Sequence, residues 1–232
     1  MKEKTTLTSI LGPSARAAVP VVLGYLTIGL PCGVMGASVG LKPWMCLLLS
    51  ATFYSGAGQF MIPSMWAAGS PVAAIAASVA LVSSRQALYS AAFAPYVKKA
   101  SKFQTILFAL FVTDESFGVN LDLFARGVDW TVAHATVTNL VCMASWALAN
   151  LAGALLGSVV SLPVAILSFG MTAIFICLLA GQEESRSNVI AALGAVAGVV
   201  VCKLAGLSNV AILVGALVGV CAGLAFRGVT RH

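Results

Sequence analysis

Long apolar stretches follow one another along almost the whole chain, and polar residues are confined to the short intervals between them. Each stretch is near the length of roughly 20 residues that an α-helix needs to cross a bilayer. None alternates apolar and polar positions as a membrane-spanning β-strand does. The chain is therefore predicted to be an all-α, polytopic membrane protein with a single transmembrane domain over 1–232. It has seven or eight apolar segments, and the candidate runs are 17–41, 44–68, 71–97, 103–125, 131–158, 162–181, 188–205 and 207–226.

The composition agrees with this pattern, because 60% of the 232 residues are hydrophobic and only 9% are charged. Soluble domains carry about 25% charged residues, so too few polar side chains remain here to cover a water-soluble globule. The net charge is +6, and no basic run interleaves with aromatic residues. We therefore expect the lipid bilayer of the cell inner membrane as the surroundings, with several passes and no nucleic-acid partner.

The six cysteines all lie inside apolar segments, and no two have the spacing of metal ligands. Such cysteines are typical of helix packing, so neither a metal nor a cofactor is expected. The chain also lacks the glycine-rich Gly-Lys-Ser/Thr motif of ATP-binding loops. Any transport activity would then depend on a gradient or on exchange.

Basic residues constrain the topology, because the positive-inside rule places them in the cytoplasm. Eight full crossings would leave the cluster at 98–102 outside. The conflict disappears if segments one and two together make one net crossing, and segments five and six do likewise. In that arrangement 98–102 faces the cytoplasm and 122–129 faces outward. The basic clusters are Lys2, Lys4 and Arg16; Lys98, Lys99 and Lys102; and Arg227 and Arg231.

A weak internal repeat suggests two related halves. Residues 40–43 resemble residues 160–163 at an offset of 120, and both precede an apolar run. The halves would be 17–125 and 131–226. If each makes an odd number of net crossings, they are inverted, and each would open with a broken helix pair, as in many transporters.

Helix-breaking residues concentrate in the first two segments. Pro31 predicts a break in the first, where freed backbone groups would line a solute cavity; close helix packing is the alternative. The second contains residues 54–60, in which Ser55, Gly56 and Gln59 form a narrow polar patch. Gln59 both donates and accepts hydrogen bonds, so it is a candidate for solute binding or gating, or else a bond between helices.

Charged residues also lie inside apolar segments. Arg85 falls near the middle of the third segment, where a charge costs about 2.5–3.5 kcal/mol or more unless it faces a partner or a cavity. Asp114 and Glu115 lie within the fourth segment. One acid can pair with Arg85 while the other faces a cavity, because adjacent helix positions point in different directions. Arg85 would bind a substrate carboxylate, and an acid would bind an ammonium group or a coupling proton; a structural ion pair is the alternative.

Taken in order, these motifs resemble the AzlC/YgaZ family over about residues 14–226. The resemblance implies the large subunit of a branched-chain amino acid exporter that works with a small membrane subunit of the AzlD/YgaH type. Its implied substrates are small hydrophobic amino acids such as valine, leucine, isoleucine or methionine. The motifs are the glycine-rich first segment, residues 55–60, Arg85 followed by Leu88, Tyr89 and Ser90, residues 113–117, and Trp146.

Two positions beside Arg85 depart from the family pattern. An asparagine is expected two positions before the arginine, where this chain has Ser83. An aromatic residue or a histidine is expected after it, where this chain has Gln86. Both changes surround a candidate site residue, so they bear on the identity of the substrate.

The leading hypothesis is secondary transport by alternating access, with no catalytic residue. One alternative is an intramembrane serine protease of rhomboid type, supported only by Ser55 and His134. Another is an assembly subunit that transports nothing. That reading leaves the charges of Arg85, Asp114 and Glu115 inside apolar segments unexplained.

Overall fold

The structure is a computed structural model that describes residues 7–126, 129–159, 176, 186–206 and 211–230. Most of the segment predicted at 162–181, the repeat match at 160–163, and Lys2, Lys4 and Arg231 lie outside these residues. Within them the prediction of an all-α membrane protein is confirmed. The helices are α1 Leu7–Ser38, α2 Pro43–Thr52, α3 Gly56–Ala67, α4 Val72–Ser83, α5 Arg85–Val97, α6 Lys102–Leu110, α7 Asp114–Ala125, α8 Val132–Gly157, α9 Arg186–Leu204 and α10 Ala211–Thr230.

Four stretches of the described residues are long and apolar enough to cross a membrane. They are Ser9–Ser38, Val72–Val97, Val132–Gly157 and Arg186–Leu204. Several other helices are much shorter: α2, α3, α6 and α7 have 10, 12, 9 and 12 residues. The predicted count of seven or eight segments stays a prediction.

The chain divides into two compact units. The first comprises Met1–Ser70 and Val82–Met171, and the second comprises Pro71–Leu81 and Thr172–His232. In the second unit α9 and α10 are antiparallel neighbours, and Ser187 at the start of α9 donates a hydrogen bond to the Gly223 carbonyl at 2.9 Å. All candidate site residues belong to the first unit. The predicted single domain and its repeat halves are a different division and stay predictions.

Helices α1 and α8 lie side by side in the first unit and run in the same direction. Near their starts, Ser14 Oγ donates to the His134 carbonyl at 3.0 Å. Further along, Gly33 lies so close to α8 that an added Cβ would come within 2.7 Å of the Ala154 nitrogen. Small residues permit such close approach between membrane helices. The pair forms the central support of the unit.

The break predicted at Pro31 is wrong, because α1 is continuous from Leu7 to Ser38 and contains Pro13, Pro20 and Pro31. Each proline removes one backbone N–H donor. A break in the helix would free more backbone polar groups, and a membrane offers no water to bind them. The close packing of α1 against α8 supports the helix at this point. The alternative considered for the breaker-rich segment, close helix packing, is what the structure shows.

Helices α2 and α3 form a hairpin that we call the first hairpin, with its tip at 53–55. Ser50 Oγ donates to Gln59 Oε1 at 3.0 Å across the two arms. Further from the tip, Cys46 and Pro63 line the same small cavity. The arms are therefore antiparallel and return to one end. At 10 and 12 residues they are about 15 and 18 Å long, whereas the bilayer core is about 30 Å thick.

Helices α6 and α7 form a second hairpin with its tip at 111–113, inside the segment predicted as continuous over 103–125. Its return arm, α7, runs parallel to α5. The rings of Tyr89 and Phe117 stack near the starts of the two helices at 4.6 Å, and those of Tyr96 and Phe124 stack near their ends at 4.9 Å. An aromatic core around Phe93 and Phe108 holds the hairpin in place.

The two hairpins enter the first unit from opposite ends. Gly36, late in α1, lines a cavity with Cys46 and Pro63 of the first hairpin. Ile10, early in α1, lines a groove with Gln104 and Phe124 of the second. We call the end where α1 begins the proximal end and the end where it finishes the distal end. Each hairpin reaches from its own end toward the middle.

This geometry corrects the predicted topology. Lys99 and Trp130 line the same proximal groove, so 98–102 and the described part of 122–129 lie at one end. Their expected placement on opposite faces is wrong. Segment 103–125 turns back at its own midpoint instead of crossing, because each arm is only half as long as a crossing requires.

Candidate functional site

The tips of both hairpins meet the middle of α1 at Tyr25, which is 4% exposed. Its hydroxyl donates to Glu115 Oε2 at 2.7 Å and shares a second bond of 2.7 Å with Thr113 Oγ1. Its ring meets the ring of Tyr54 edge-on, with centroids 6.3 Å apart. Tyr54 lies in the first tip and Thr113 in the second. One side chain thus joins α1 to both interruptions.

Local sequence explains where the return arms begin. Ser55 is the N-cap of α3 and accepts a bond from the Gly58 nitrogen at 3.4 Å. Thr113 is the N-cap of α7 and forms a capping box with Ser116. Serine and threonine stabilise helix starts in this way because their oxygens satisfy free backbone donors. Both tips therefore place a helix N-terminus, with its partial positive charge, inside the unit.

Arg85 and Asp114 form an ion pair, with Nη2 and Oδ2 2.6 Å apart. Tyr89 donates a hydrogen bond to the other oxygen of the same carboxylate. The side chains of Arg85 and Asp114 are 33% and 21% exposed. The pair links the start of α5 to the start of α7, and it is the pairing that the sequence predicts for one of the two acids.

Glu115 has different surroundings from Asp114, although the two are adjacent. It is exposed and receives the Tyr25 hydrogen bond. Among the described residues it forms no ion pair. The separation expected from helix geometry is therefore present: one acid binds the arginine, and the other forms no ion pair among the described residues.

Gln59 fixes the first tip to its neighbours. Its Oε1 accepts hydrogen bonds from Ser50 at 3.0 Å and from Trp146 Nε1 at 2.9 Å. Its Nε2 donates to the Phe53 carbonyl at 2.5 Å. Both lone pairs of the side-chain oxygen are thus in use. These contacts are those of a bond between helices, the alternative considered for this residue.

Asn120 does the same for the second hairpin. Its side-chain nitrogen donates to Asn139 Oδ1 of α8 at 2.8 Å, and its oxygen accepts from Trp130 Nε1 at 3.0 Å. Asn139 in turn donates to the Phe108 carbonyl at 3.3 Å. Each hairpin is therefore fastened to α8 by a buried amide, and α8 acts as a common support.

The two positions that depart from the family pattern both touch the first tip. Ser83 Oγ lies 3.3 Å from Ser55 Oγ. Gln86 Nε2 donates to the Tyr54 carbonyl at 3.4 Å. Side-chain changes at these positions therefore alter the contacts of the hairpin tip next to Arg85.

The structure brings most of the predicted site residues together but not all. Ser55, Gln59, Arg85, Asp114 and Glu115 lie at the hairpin tips or in contact with residues that do. A Cβ added to Gly56 would lie 3.6 Å from the Trp146 ring, so this glycine is packed against the site. Pro31 lies on α1 six residues after Tyr25, about 9 Å along the helix axis.

Sequence reasoning missed the central residue, Tyr25. A single tyrosine in an apolar segment gives little signal, since most such residues only pack. The signal available was its position: it is one of few hydrogen-bonding side chains midway along the first crossing. Tyr89 was quoted only as part of a motif, yet it contacts Asp114 directly.

Ser55 and His134 do not form the nucleophile–base pair that a serine protease would need. Ser55 bonds with Ser83 and the Gly58 nitrogen at the first tip. His134 bonds with Thr131 and stacks on Trp130 at the proximal end. A nucleophile and its base must lie within hydrogen-bond reach. The part of the chain that the structure describes also contains no group of three potential metal-binding side chains among His, Cys, Asp and Glu.

The fold is that of an all-α membrane protein with four candidate membrane spans among the described residues, and it is consistent with a role in membrane transport. More specifically, the chain belongs to the AzlC family: the family model, described as AzlC protein, matches residues 20–160. The resemblance noted from the motifs is thereby confirmed.

Three relatives share most of their length with this chain. The inner membrane protein YgaZ of Escherichia coli strain K12 is 29% identical over 213 residues, which are 88% of this chain and 85% of the relative. An uncharacterized membrane protein of Helicobacter pylori strain J99 is 30% identical over 172 residues, 73% of this chain and 74% of the relative. Its counterpart in strain 26695 has the same identity and coverage. No solved structure gives a significant match.

Proposed function

We propose that this chain exports branched-chain L-amino acids such as valine across the cell inner membrane, as the large subunit of a secondary transporter. The observation that carries the proposal is the meeting of two half-length hairpins, one from each end, at Tyr25. The tips carry Tyr54 and Thr113, and both contact this one buried side chain. Broken helices that end at mid-depth are the usual way in which transporters build solute sites.

Alternating access follows from this arrangement. The first hairpin separates the middle of the unit from the distal end, and the second separates it from the proximal end. Movement of one hairpin against the support of α1 and α8 would open one side while the other stays closed. The fastening bonds of Gln59 and Asn120 to α8 are where each movement would be controlled.

The chemistry of the middle suits an amino acid with an apolar side chain. Arg85 uses Nη2 for Asp114, and its guanidinium group has further N–H donors for a solute carboxylate. Aromatic and aliphatic residues surround the tips and would accept a branched side chain. Asp114 remains the candidate for coupling to a proton or to the solute through its bond with Arg85.

Charge distribution supports an orientation with the proximal end in the cytoplasm. The proximal end carries Lys98, Lys99, Lys102 and Arg126, whereas the distal end carries Lys42. Positive residues collect on the cytoplasmic side of membrane proteins. A small membrane subunit of the AzlD/YgaH type would complete the transporter; the family membership supports this partner.

The direct experiment is transport in proteoliposomes that contain the purified chain, with and without its small partner. Labelled L-valine should cross the membrane faster than in empty vesicles, and a pH gradient should change the rate if protons couple. Arg126→Ala is a suitable control, since this exposed residue lies away from the tips. Absence of valine movement under every gradient, with the protein correctly inserted, would contradict the proposal.

A further inference from the structure

Tyr54 carries a buried hydroxyl without a hydrogen-bond partner among the described residues. The side chain is only 8% exposed. An unpaired buried polar group costs roughly 1–3 kcal/mol, so native structures rarely contain one without a reason. The hydroxyl lies in the first hairpin tip, at the place where the two hairpins meet. No described residue satisfies this hydroxyl, so it can bind a solute that enters between the hairpin tips.

The surroundings of this hydroxyl are rich in acceptors and poor in cations. Tyr25 meets Tyr54 edge-on and gives its only hydroxyl proton to Glu115. Glu115 is exposed and has no ion pair among the described residues. A carboxylate oxygen and a phenol oxygen thus remain available in one small region.

Three aromatic rings line the same region. Tyr25 lies 6.3 Å from Tyr54 and 5.2 Å from Trp146, measured between ring centroids. Aromatic faces attract cations. A primary ammonium group brings three donors and one positive charge, which match these acceptors and faces. A carboxylate would be repelled by Glu115.

We propose that Glu115, Tyr54 and Tyr25 form the site that binds the ammonium group of the transported solute. This assignment rests on the proposed function, and it adds which end of the solute each residue binds. Glu115 supplies the charge, Tyr54 accepts a hydrogen bond, and Tyr25 holds the Glu115 carboxylate in position. Asp114 is less suited to this role, because its charge is already paired with Arg85 and its other oxygen accepts from Tyr89.

The test uses the full-length chain in lipid nanodiscs and three ligands that share one branched skeleton. L-valine has both charged groups, isobutylamine has only the amine, and isovalerate has only the carboxylate. Calorimetry should show that L-valine and isobutylamine bind. The affinity for isovalerate should be lower than that for isobutylamine by at least about tenfold, because one charge-assisted hydrogen bond contributes about that factor. Glu115→Gln should weaken isobutylamine by a similar factor.

Tyr54→Phe gives the sharper result. It removes an oxygen that has no partner in the free protein, so thermal stability should stay the same or rise. Affinity for both amines should nevertheless fall several-fold. Asp122→Asn and Tyr96→Phe are matched controls, since they make the same chemical changes at exposed proximal positions. Neither control should change binding.

The outcomes separate this inference from the proposed function. If L-valine binds but isovalerate competes as well as isobutylamine, or if Glu115→Gln and Tyr54→Phe bind like the parent, the ammonium site is refuted while transport of valine stands. If isobutylamine binds and L-valine does not, the site stands and the substrate is wrong. If the parent binds neither amine, both proposals fail.

Discussion

The hydroxyl of Tyr25 donates to the carboxylate of Glu115 across 2.7 Å, and this bond ties the middle of α1 to the tip of the second hairpin. The ring of the same tyrosine contacts Tyr54 in the tip of the first hairpin. Helix α1 is held in turn by its long, parallel contact with α8. Tyr25 is therefore a fixed point against which either tip can move.

Removing the Tyr25 hydroxyl should weaken the attachment of the second hairpin tip to α1 without leaving a cavity in the core. Tyr25→Phe keeps the ring contact with Trp146 but loses the bonds to Glu115 and Thr113. We expect the free energy of unfolding to fall by about 1–2 kcal/mol, since one bond involves a carboxylate. The rate of valine transport should fall by a larger factor than the loss in stability alone would cause. Thermal unfolding in detergent and uptake by proteoliposomes measure the two effects, and unchanged transport would contradict the central role of Tyr25.

The Arg85–Asp114 pair should show a larger coupling than an exposed pair in the same unit. A double-mutant cycle with Arg85→Ala and Asp114→Asn is expected to give about 1–3 kcal/mol, because the two side chains are 33% and 21% exposed. The matched pair Arg126–Asp122 is 68% and 53% exposed and should give less than about 1 kcal/mol. Equal coupling in the two cycles would show that the inner pair is solvated like a surface pair.

The same variants test function separately from folding. Arg85→Ala should still insert into the membrane but lose valine transport. Asp114→Asn should retain a neutral hydrogen-bond partner for Tyr89 and lose only the charge. Transport at the parental rate in Arg85→Ala would rule out a role for this arginine in binding the solute carboxylate.

Hydropathy predicts the helical class and most segments, because each crossing must bury its backbone polar groups within a helix. The sequence does not show where the helices are interrupted. Pro31 is a strong breaker, yet α1 continues through it, since contact with α8 holds the helix together. The tip at 111–113 contains neither glycine nor proline. Only the Thr113–Ser116 cap marks it, and such a cap is common enough in sequences to be overlooked.

The candidate site divides in a similar way. The Arg85–Asp114 pairing was predictable because an unpaired charge inside a membrane is costly, so a partner had to exist. The position of Tyr25 was not, because a tyrosine can be buried without any functional partner. The fold brings Thr113 and Glu115, which lie 88 and 90 positions further along the chain, within hydrogen-bond distance of Tyr25.

Close contact between α1 and α8 should make Gly33 intolerant of a side chain. A Cβ there would lie 2.7 Å from the Ala154 nitrogen, which is backbone and cannot turn aside. Gly33→Ala is therefore expected to lower the thermal unfolding temperature in detergent by several degrees. Gly24→Ala is the matched control, because nothing lies within 4 Å of its added carbon; it should be neutral or slightly stabilising. Equal effects of the two changes would contradict the close packing.

The turning back of segment 103–125 can be tested by labelling from each side of the membrane. Single cysteines are placed at Lys99, Asp129 and Lys42, all exposed, in a chain whose native cysteines are replaced. An impermeant maleimide should label Lys99→Cys and Asp129→Cys from the same side, because both lie at the proximal end. Lys42→Cys, at the distal end, should be labelled from the other side. Intact cells and inverted vesicles provide the two directions, and under the orientation proposed above the first two react only in inverted vesicles. Labelling of Lys99→Cys and Asp129→Cys from opposite sides would show that the segment crosses the membrane, and the second hairpin would then be wrong.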